Sequence, residues 1–314
     1  MSDKPVKPVL VIHGGAGAIT REESTPEKIR ERREALLASL KAGYAVLKQG
    51  GSALDAVEQA VLSMEDCPLF NCGRGACLTS EGTIEHDASI MDGRTRAAGA
   101  LSGSRRVRNP ISAARAIMER TPHIHLTGDG VELFAREQGL ALAPEWYFYT
   151  PERLEALRRI QAAKGQPFVL SEKDRHGTVG AVARDADGNL AAATSTGGYA
   201  NKLPGRVGDS AHIGAGTFAD NATVAASGTG HGETFMRVVM GHRLSDLVEL
   251  TGQSLDEAAT AVINDIGRFG ATGGLIAVDA RGGAVMKFNS PGMYRGIAED
   301  DTFKVAIFGD EEVS

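Results

Sequence analysis

Residues 171–198, SEKDRHGTVGAVARDADGNLAAATSTGG, decide how the chain is read. A charged stretch ends at Gly177, and a run of small apolar residues begins at once from Thr178. A second such run follows the turn residues at 185–188, which predicts a β-hairpin. The second run closes on a hydroxyl cluster, Thr194-Ser195-Thr196. A threonine thus opens one strand and a threonine-rich cluster ends the next.

The charge pattern upstream reads as an exposed connector, from the end of a charged helix at 151–163 to His176. Towards the N-terminus, VLVIHGG reads as a buried strand ending in a glycine turn. Thr25-Pro26 opens a helix with proline in its first turn, and Leu36, Leu37, Leu40, Tyr44 and Leu47 line one face of it. Ser52 and Asp55 resemble a capping box for the next helix, which carries Leu54, Val57, Ala60 and Val61. Two strands are predicted within 83–104, then a helix from Asn109-Pro110 and another near 130–138. Beyond the hairpin, TVAASGTG reads as a strand. Helices are predicted over 232–249 and 255–268, and a hairpin at 274–289 and the strand TFKVAIF close the chain. Strands and helices come in blocks, which points to an α+β chain with antiparallel sheets and helices layered outside them. No internal repeat breaks the sequence, and 1–314 reads as a single domain.

Composition narrows the function classes. Against 34 lysines and arginines stand 40 aspartates and glutamates, a net charge of −6. A mildly acidic chain without a basic run argues against nucleic-acid binding. No apolar stretch approaches the ~20 residues of a membrane helix, and the N-terminus lacks the apolar segment of a signal peptide. Three cysteines, Cys67, Cys72 and Cys77, form no disulfide framework and no common metal-thiolate spacing. They read as buried small side chains in a reducing, cytoplasmic compartment.

HGGAG invites a dinucleotide-binding reading, but Thr20 stands where the third glycine of that fingerprint belongs. His123 and His125 lack a nearby third ligand and read as a surface turn. Thr178 is more telling. A threonine hydroxyl is a poor nucleophile until a base takes its proton. His176 is near in sequence, but a cut between Gly177 and Thr178 provides a closer base. The freed α-amine has a pKa of about 7.7–8.0, matched to neutral general-base work. Gly177 has no Cβ to keep the threonine oxygen from its carbonyl.

HGTVGAV, TSTGG, GRVGDS and SGTGHGETF, together with VIHGGAG and MYRGIAEDD at the two ends, identify a resemblance across nearly the whole chain. It resembles the isoaspartyl peptidase / L-asparaginase family, the plant-type asparaginases among the N-terminal-nucleophile hydrolases. The resemblance implies a four-layer αββα sandwich. It also implies self-cleavage into an α chain, 1–177, and a β chain, 178–314, with two such αβ units pairing into a heterotetramer.

By the same resemblance Thr178 is the nucleophile and Thr196 bonds to it and tunes it. Thr229 and Gly230 are the oxyanion donors. Arg206 and Asp209 anchor the substrate, Gly232 supplies a backbone contact to it, and Asn71 supports the substrate site. An arginine fork suits the α-carboxylate of a β-aspartyl group, and an aspartate suits its α-ammonium. MEDCPLFNCGRG resembles a sodium-holding loop, in which main-chain carbonyls of Met64, Glu65, Cys67, Phe70, Cys72 and Arg74 coordinate a structural ion; no cofactor is implied for the chemistry.

The expected activity is self-processing amide hydrolysis, releasing L-aspartate from asparagine or β-aspartyl dipeptides. The rivals are a glycosylasparaginase, which removes sugar from asparagine, and a non-enzymatic nucleotide-binding protein using the HGGAG turn.

Overall fold

The computed structural model describes residues 7–22, 24–163 and 177–313. The predicted connector at 164–176, including His176, lies outside the described residues.

The hairpin that governs the sequence is present as β5 (Val179–Arg184) and β6 (Leu190–Thr196). Its turn is closed by the Gly188 N–H on the Asp185 carbonyl, and Asp185 Oδ1 accepts the N–H groups of Asp187 and Asn189. β1 (Val9–Gly17) pairs antiparallel with β5. Around this centre stand β2 (His86–Asp92), β3 (Ala98–Ser104) and β4 (His125–Thr127) on one side, and β11 (Gly292–Glu299) and β12 (Thr302–Phe308) on the other. The result is an eight-stranded sheet ordered β12-β11-β1-β5-β6-β2-β3-β4, in which only the β3–β4 pair is parallel. A four-stranded sheet, β10-β9-β8-β7, combines β7 (Thr217–Ala219), β8 (Val224–Gly230), β9 (Gly273–Asp279) and β10 (Ala284–Phe288).

The larger sheet is apolar on both faces because it is covered on both. In β1, Leu10 and Ile12 join one core cluster, and Val9 and Val11 join another. The first cluster holds α1 (Pro26–Lys48), α2 (Ala53–Glu65) and α3 (Pro110–Arg120) against the sheet. The second fills the space between the sheets and extends to α7 (Met240–Thr251) and α8 (Leu255–Arg268) on the far side of the smaller one. Helices and sheets are thus packed together in the α+β manner, and each Val, Leu, Ile, Phe or Met side chain so buried contributes about 1.5–3 kcal/mol.

Local signals explain the helix starts. Thr25 accepts the Lys28 N–H, and Pro26 occupies the first turn of α1. Ser52 accepts the Asp55 N–H, but the Asp55 carboxylate accepts in return from the Ser52 hydroxyl rather than from the Ser52 N–H. Asn109 makes no side-chain cap at α3; the Glu65 carboxyl accepts the Ile111 N–H instead. The predicted helices at 130–138 and 151–163 appear as α4 (Asp129–Glu137) and α5 (Pro151–Ala162).

Two features depart from the sequence reading. The helix predicted over 232–249 is broken into α6 (Gly232–Val238) and α7 at Val239, whose φ and ψ of 53° and 53° are left-handed. β4, β7 and β11 were not anticipated. His125, read as part of a surface turn, is the first residue of β4.

Side-chain alternation sets the position of Thr178. One residue ahead of β5, it shares the face of Val182, which points towards the smaller sheet. Thr194 and Thr196 share the corresponding face of β6 with Ala192. Hydroxyls from both strands are therefore directed into the space between the sheets.

Candidate active site

Thr178 is buried, and its three polar groups each have a partner. Its Oγ1 donates to Thr196 Oγ1 at 3.2 Å and lies 3.4 Å from Ser210 Oγ. Its N–H donates to Thr229 Oγ1 at 3.2 Å. That oxygen also accepts the Ala16 N–H at 3.2 Å, so both lone pairs of Thr229 are used and its proton is left to donate. Thr196 Oγ1 accepts the Gly198 N–H at 3.0 Å, which fixes the hydroxyl facing Thr178.

The carbonyl of Thr178 lies 2.9 Å from His13 Nδ1. A carbonyl can only accept, so Nδ1 carries the proton, and Nε2 accepts from Ser227 Oγ at 2.9 Å. Burial pushes the His13 pKa down to about 3, so the ring stays neutral. Ser227 continues the network to Thr194 at 2.7 Å, and Thr217 donates to Thr194 in turn. His13 was not singled out from the sequence. The signal was available: a histidine inside an apolar strand must find partners for two ring nitrogens.

Gly177 lies against the turn formed by the glycines after His13. A Cβ built on Gly177 would stand 2.1 Å from the Gly15 Cα, and one on Gly15 would stand 2.5 Å from the Gly177 Cα. Gly15 also has φ +112°. Neither position admits a side chain. The HGGAG segment thus ends a strand and seats the residue before Thr178, whereas a dinucleotide fingerprint opens a helix.

Beside Thr178 and Thr196 opens a pocket of about 380 Å³, whose wall includes Arg206, Asp209, Gly230 and Gly232. Asp209 is 3% exposed, and its Oδ2 has no hydrogen-bond partner among the described residues. Burial raises its pKa to about 7, against the pull of the Arg206 charge. A Cβ at Gly232 would lie 2.8 Å from Asp209 Oδ1 and 2.9 Å from Arg206 Nη2, so a larger residue there would fill the space between the two charges. The structure therefore brings Thr178, Thr196, Arg206, Asp209, Gly230 and Gly232 to one pocket, and Thr229 lies beneath Thr178.

The loop carrying Arg206 and Asp209 is fastened from below by groups the sequence reading passed over. Glu85 Oε2 accepts the Gly205 N–H at 2.8 Å, and Asp87 Oδ2 lies 3.5 Å from the Gly208 nitrogen. Lys202, fully buried, donates to the Glu85 carbonyl at 2.8 Å, and burial lowers its pKa.

Asn71 takes a different place. Its side chain donates to the Gly198 carbonyl at 2.6 Å and accepts the Cys77 N–H at 2.8 Å. It braces the turn after Thr196 and lines the cleft that contains Gly177, not the pocket of Arg206 and Asp209.

The carbonyl-rich loop runs from the end of α2. The Met64, Glu65 and Cys67 carbonyls accept N–H groups from Cys67, Arg74 and Phe70. A Cβ at Gly75 would meet the Pro68 and Phe70 oxygens at 2.5 and 2.7 Å, so two carbonyls converge there. The thiols of Cys67 and Cys72 are free, and burial raises their pKa. Among the described residues no group of three or more His, Cys, Asp or Glu side chains is placed to hold a metal. This donor chemistry fits a hard cation held by main-chain oxygen. No helix of the described residues is long and apolar enough to cross a membrane.

A family model described as Asparaginase matches residues 6–307. Among curated relatives, the isoaspartyl peptidase of Salmonella typhimurium is 49% identical over 92% of this chain and 94% of its own. The isoaspartyl peptidase of Escherichia coli is 48% identical over 92% of each chain. The isoaspartyl peptidase/L-asparaginase of Xenopus laevis is 43% identical over 98% of this chain and 97% of its own.

Proposed function

This chain belongs to the asparaginase family, in its isoaspartyl peptidase/L-asparaginase branch, and from that premise we propose that it hydrolyses the side-chain amide of L-asparagine and the isopeptide bond of β-aspartyl dipeptides, releasing L-aspartate. One observation carries the proposal. The hydroxyl and the nitrogen of Thr178 both bond to threonine hydroxyls beside a pocket that holds an arginine and an unpartnered buried aspartate oxygen.

The reaction begins with maturation. Thr178 Oγ1 attacks the Gly177 carbonyl, the Gly177–Thr178 C–N bond breaks, and water hydrolyses the resulting ester. An α chain of 1–177 and a β chain of 178–314 remain together, and Thr178 gains a free amine. In turnover Arg206 takes the substrate α-carboxylate, and Asp209 Oδ2 accepts from the α-ammonium. The Thr178 amine removes the Oγ1 proton as the oxygen attacks the β-carbonyl. Thr229 Oγ1–H and the Gly230 N–H donate to the developing oxyanion, a contribution of roughly 3 kcal/mol per donor. The proton passes to the leaving nitrogen, and ammonia or an amino acid departs. Water, activated by the same amine, then frees L-aspartate from the ester.

The two sheets with helices on their outer faces support the four-layer αββα sandwich of N-terminal-nucleophile hydrolases. Two αβ units pair in the active form. A sodium ion held by the carbonyls of the 64–74 loop would neutralise their dipoles and stiffen that loop without entering the chemistry. The free thiols support a reducing, cytoplasmic location.

Denaturing electrophoresis with turnover assays on L-asparagine, a β-aspartyl dipeptide and an asparagine-linked sugar tests the reading. The wild type should give two fragments, the smaller starting at Thr178, and should hydrolyse the first two substrates. Thr178→Ala should remain one chain without activity. Turnover by purified Thr178→Ala refutes the nucleophile, and preference for the sugar substrate refutes the substrate class.

A further inference from the structure

Arg206 is already engaged on one side before any substrate arrives. Its Nε donates to Glu233 Oε1 at 2.9 Å, and its Nη2 lies 2.9 Å from the same oxygen. A guanidinium has two forks: the side edge of Nε and Nη2, and the end edge of Nη1 and Nη2. Glu233 takes the side edge. The Tyr199 ring lies against the guanidinium face, 4.5 Å from Cζ to the centroid. With one edge tied and one face stacked, the plane and direction of the group are set.

The end edge points to where side chains are missing. Cβ atoms built on Gly208 and Gly198 would stand 2.8 and 3.3 Å from Nη1, and one on Gly232 would stand 2.9 Å from Nη2. All three glycines line the pocket. Glu233 itself sits at the pocket rim with its side chain 56% exposed, whereas that of Arg206 is 14% exposed. Because Glu233 follows Gly232 at the start of α6, the helix that clears space for the substrate also carries the clamp.

We propose that Glu233 is a positioning residue that aims Arg206: by holding the Nε–Nη2 edge from outside the pocket, it turns the Nη1–Nη2 fork towards the substrate α-carboxylate. The inference rests on the anchoring role of Arg206 proposed above. It assigns Glu233 a hydrogen-bonding role, not an electrostatic one. A charge in this place also competes with the α-carboxylate for Arg206, so the neutral isostere should keep the aim without the competition.

Calorimetric binding of L-aspartate to self-cleaved wild type, Glu233→Ala and Glu233→Gln separates these effects. Self-cleavage, which does not use Arg206, serves as the folding control. Glu233→Ala should weaken binding about tenfold, the effect of losing one charge-assisted hydrogen bond, and raise KM with little change in kcat. Glu233→Gln should bind within about threefold of wild type or tighter, because its amide oxygen still accepts from Arg206. Unchanged or tighter binding by Glu233→Ala would overturn the proposal, since Glu233 would then only compete with the ligand. A glutamine variant as weak as the alanine variant would overturn it too. Arg206→Ala, measured in the same way, reports on the anchoring role of Arg206 and the Glu233 variant-to-wild-type ratios on Glu233, so the two fail separately.

Discussion

The two ends of the site are built on opposite principles. Around Thr178 the groups are neutral and already partnered: hydroxyl, nitrogen and carbonyl are bonded to Thr196, Thr229 and His13. Around Asp209 the groups are charged, and one buried carboxylate oxygen has no partner among the described residues. A reacting centre gains from donors fixed before the reaction, because no reorganisation is then needed. A recognition pocket gains from leaving a charge unsatisfied, because only the correct ligand relieves it. The difference divides the labour: the first end should govern kcat and maturation, the second KM and pH response.

The largest expected effect falls at the first end. Thr178→Ala should lower turnover by about 10⁴-fold or more and leave one chain, while L-aspartate still binds to any material whose pocket is open. Thr229→Val comes next. It removes one of the two proposed oxyanion donors and should lower kcat by roughly 10²–10³-fold, with L-aspartate affinity held within about threefold. A comparable loss of affinity would show that the two ends are not separable.

At the second end, Asp209→Asn should weaken L-aspartate binding by roughly 30- to 100-fold and spare self-cleavage. It should also flatten the pH response. The free Asp209 carboxyl titrates near pH 7, because burial disfavours its charged form. The ligand ammonium requires the carboxylate, so wild-type affinity should fall as pH drops through about 7, by at most about tenfold per unit. Calorimetry across pH checks both statements; a slope that persists in Asp209→Asn would assign the titration elsewhere.

The smallest effect lies at the α6–α7 junction. Val239 is β-branched and left-handed, a conformation that costs roughly 1–2 kcal/mol. Val239→Gly should raise the melting temperature by a few degrees without changing kcat or KM. A shift in KM would mean that the strain at the α6–α7 junction helps set the recognition end.

Much of this was legible in the sequence, for identifiable reasons. The β5–β6 hairpin and its turn announce themselves because small apolar runs flank a turn whose aspartate caps its own backbone. The helix starts at Thr25 and Ser52 are local and were read correctly. The break at Val239 was hidden because Val238, Val239 and Met240 carry an apolar pattern across it. β11 was hidden although its hairpin partner β12 is next in sequence, because Gly292, Arg295 and Gly296 interrupt its apolar character. In the site, residues with distinctive chemistry such as Arg206 and Asp209 were visible through their motif. Glu85 and Asp87 meet backbone N–H groups of the distant 205–208 loop, Lys202 beside that loop reaches back to the Glu85 carbonyl, and only the fold brings these partners together.

In the proposed mechanism, catalysis depends on an amine released at Thr178 by self-cleavage. Freshly made precursor can be followed by intact mass and by hydrolysis of a β-aspartyl dipeptide in the same aliquots. The expected result is activity that rises in proportion to the fraction of chain cut before Thr178 and is absent at time zero. Full activity in material whose mass is still that of the uncut chain would contradict it.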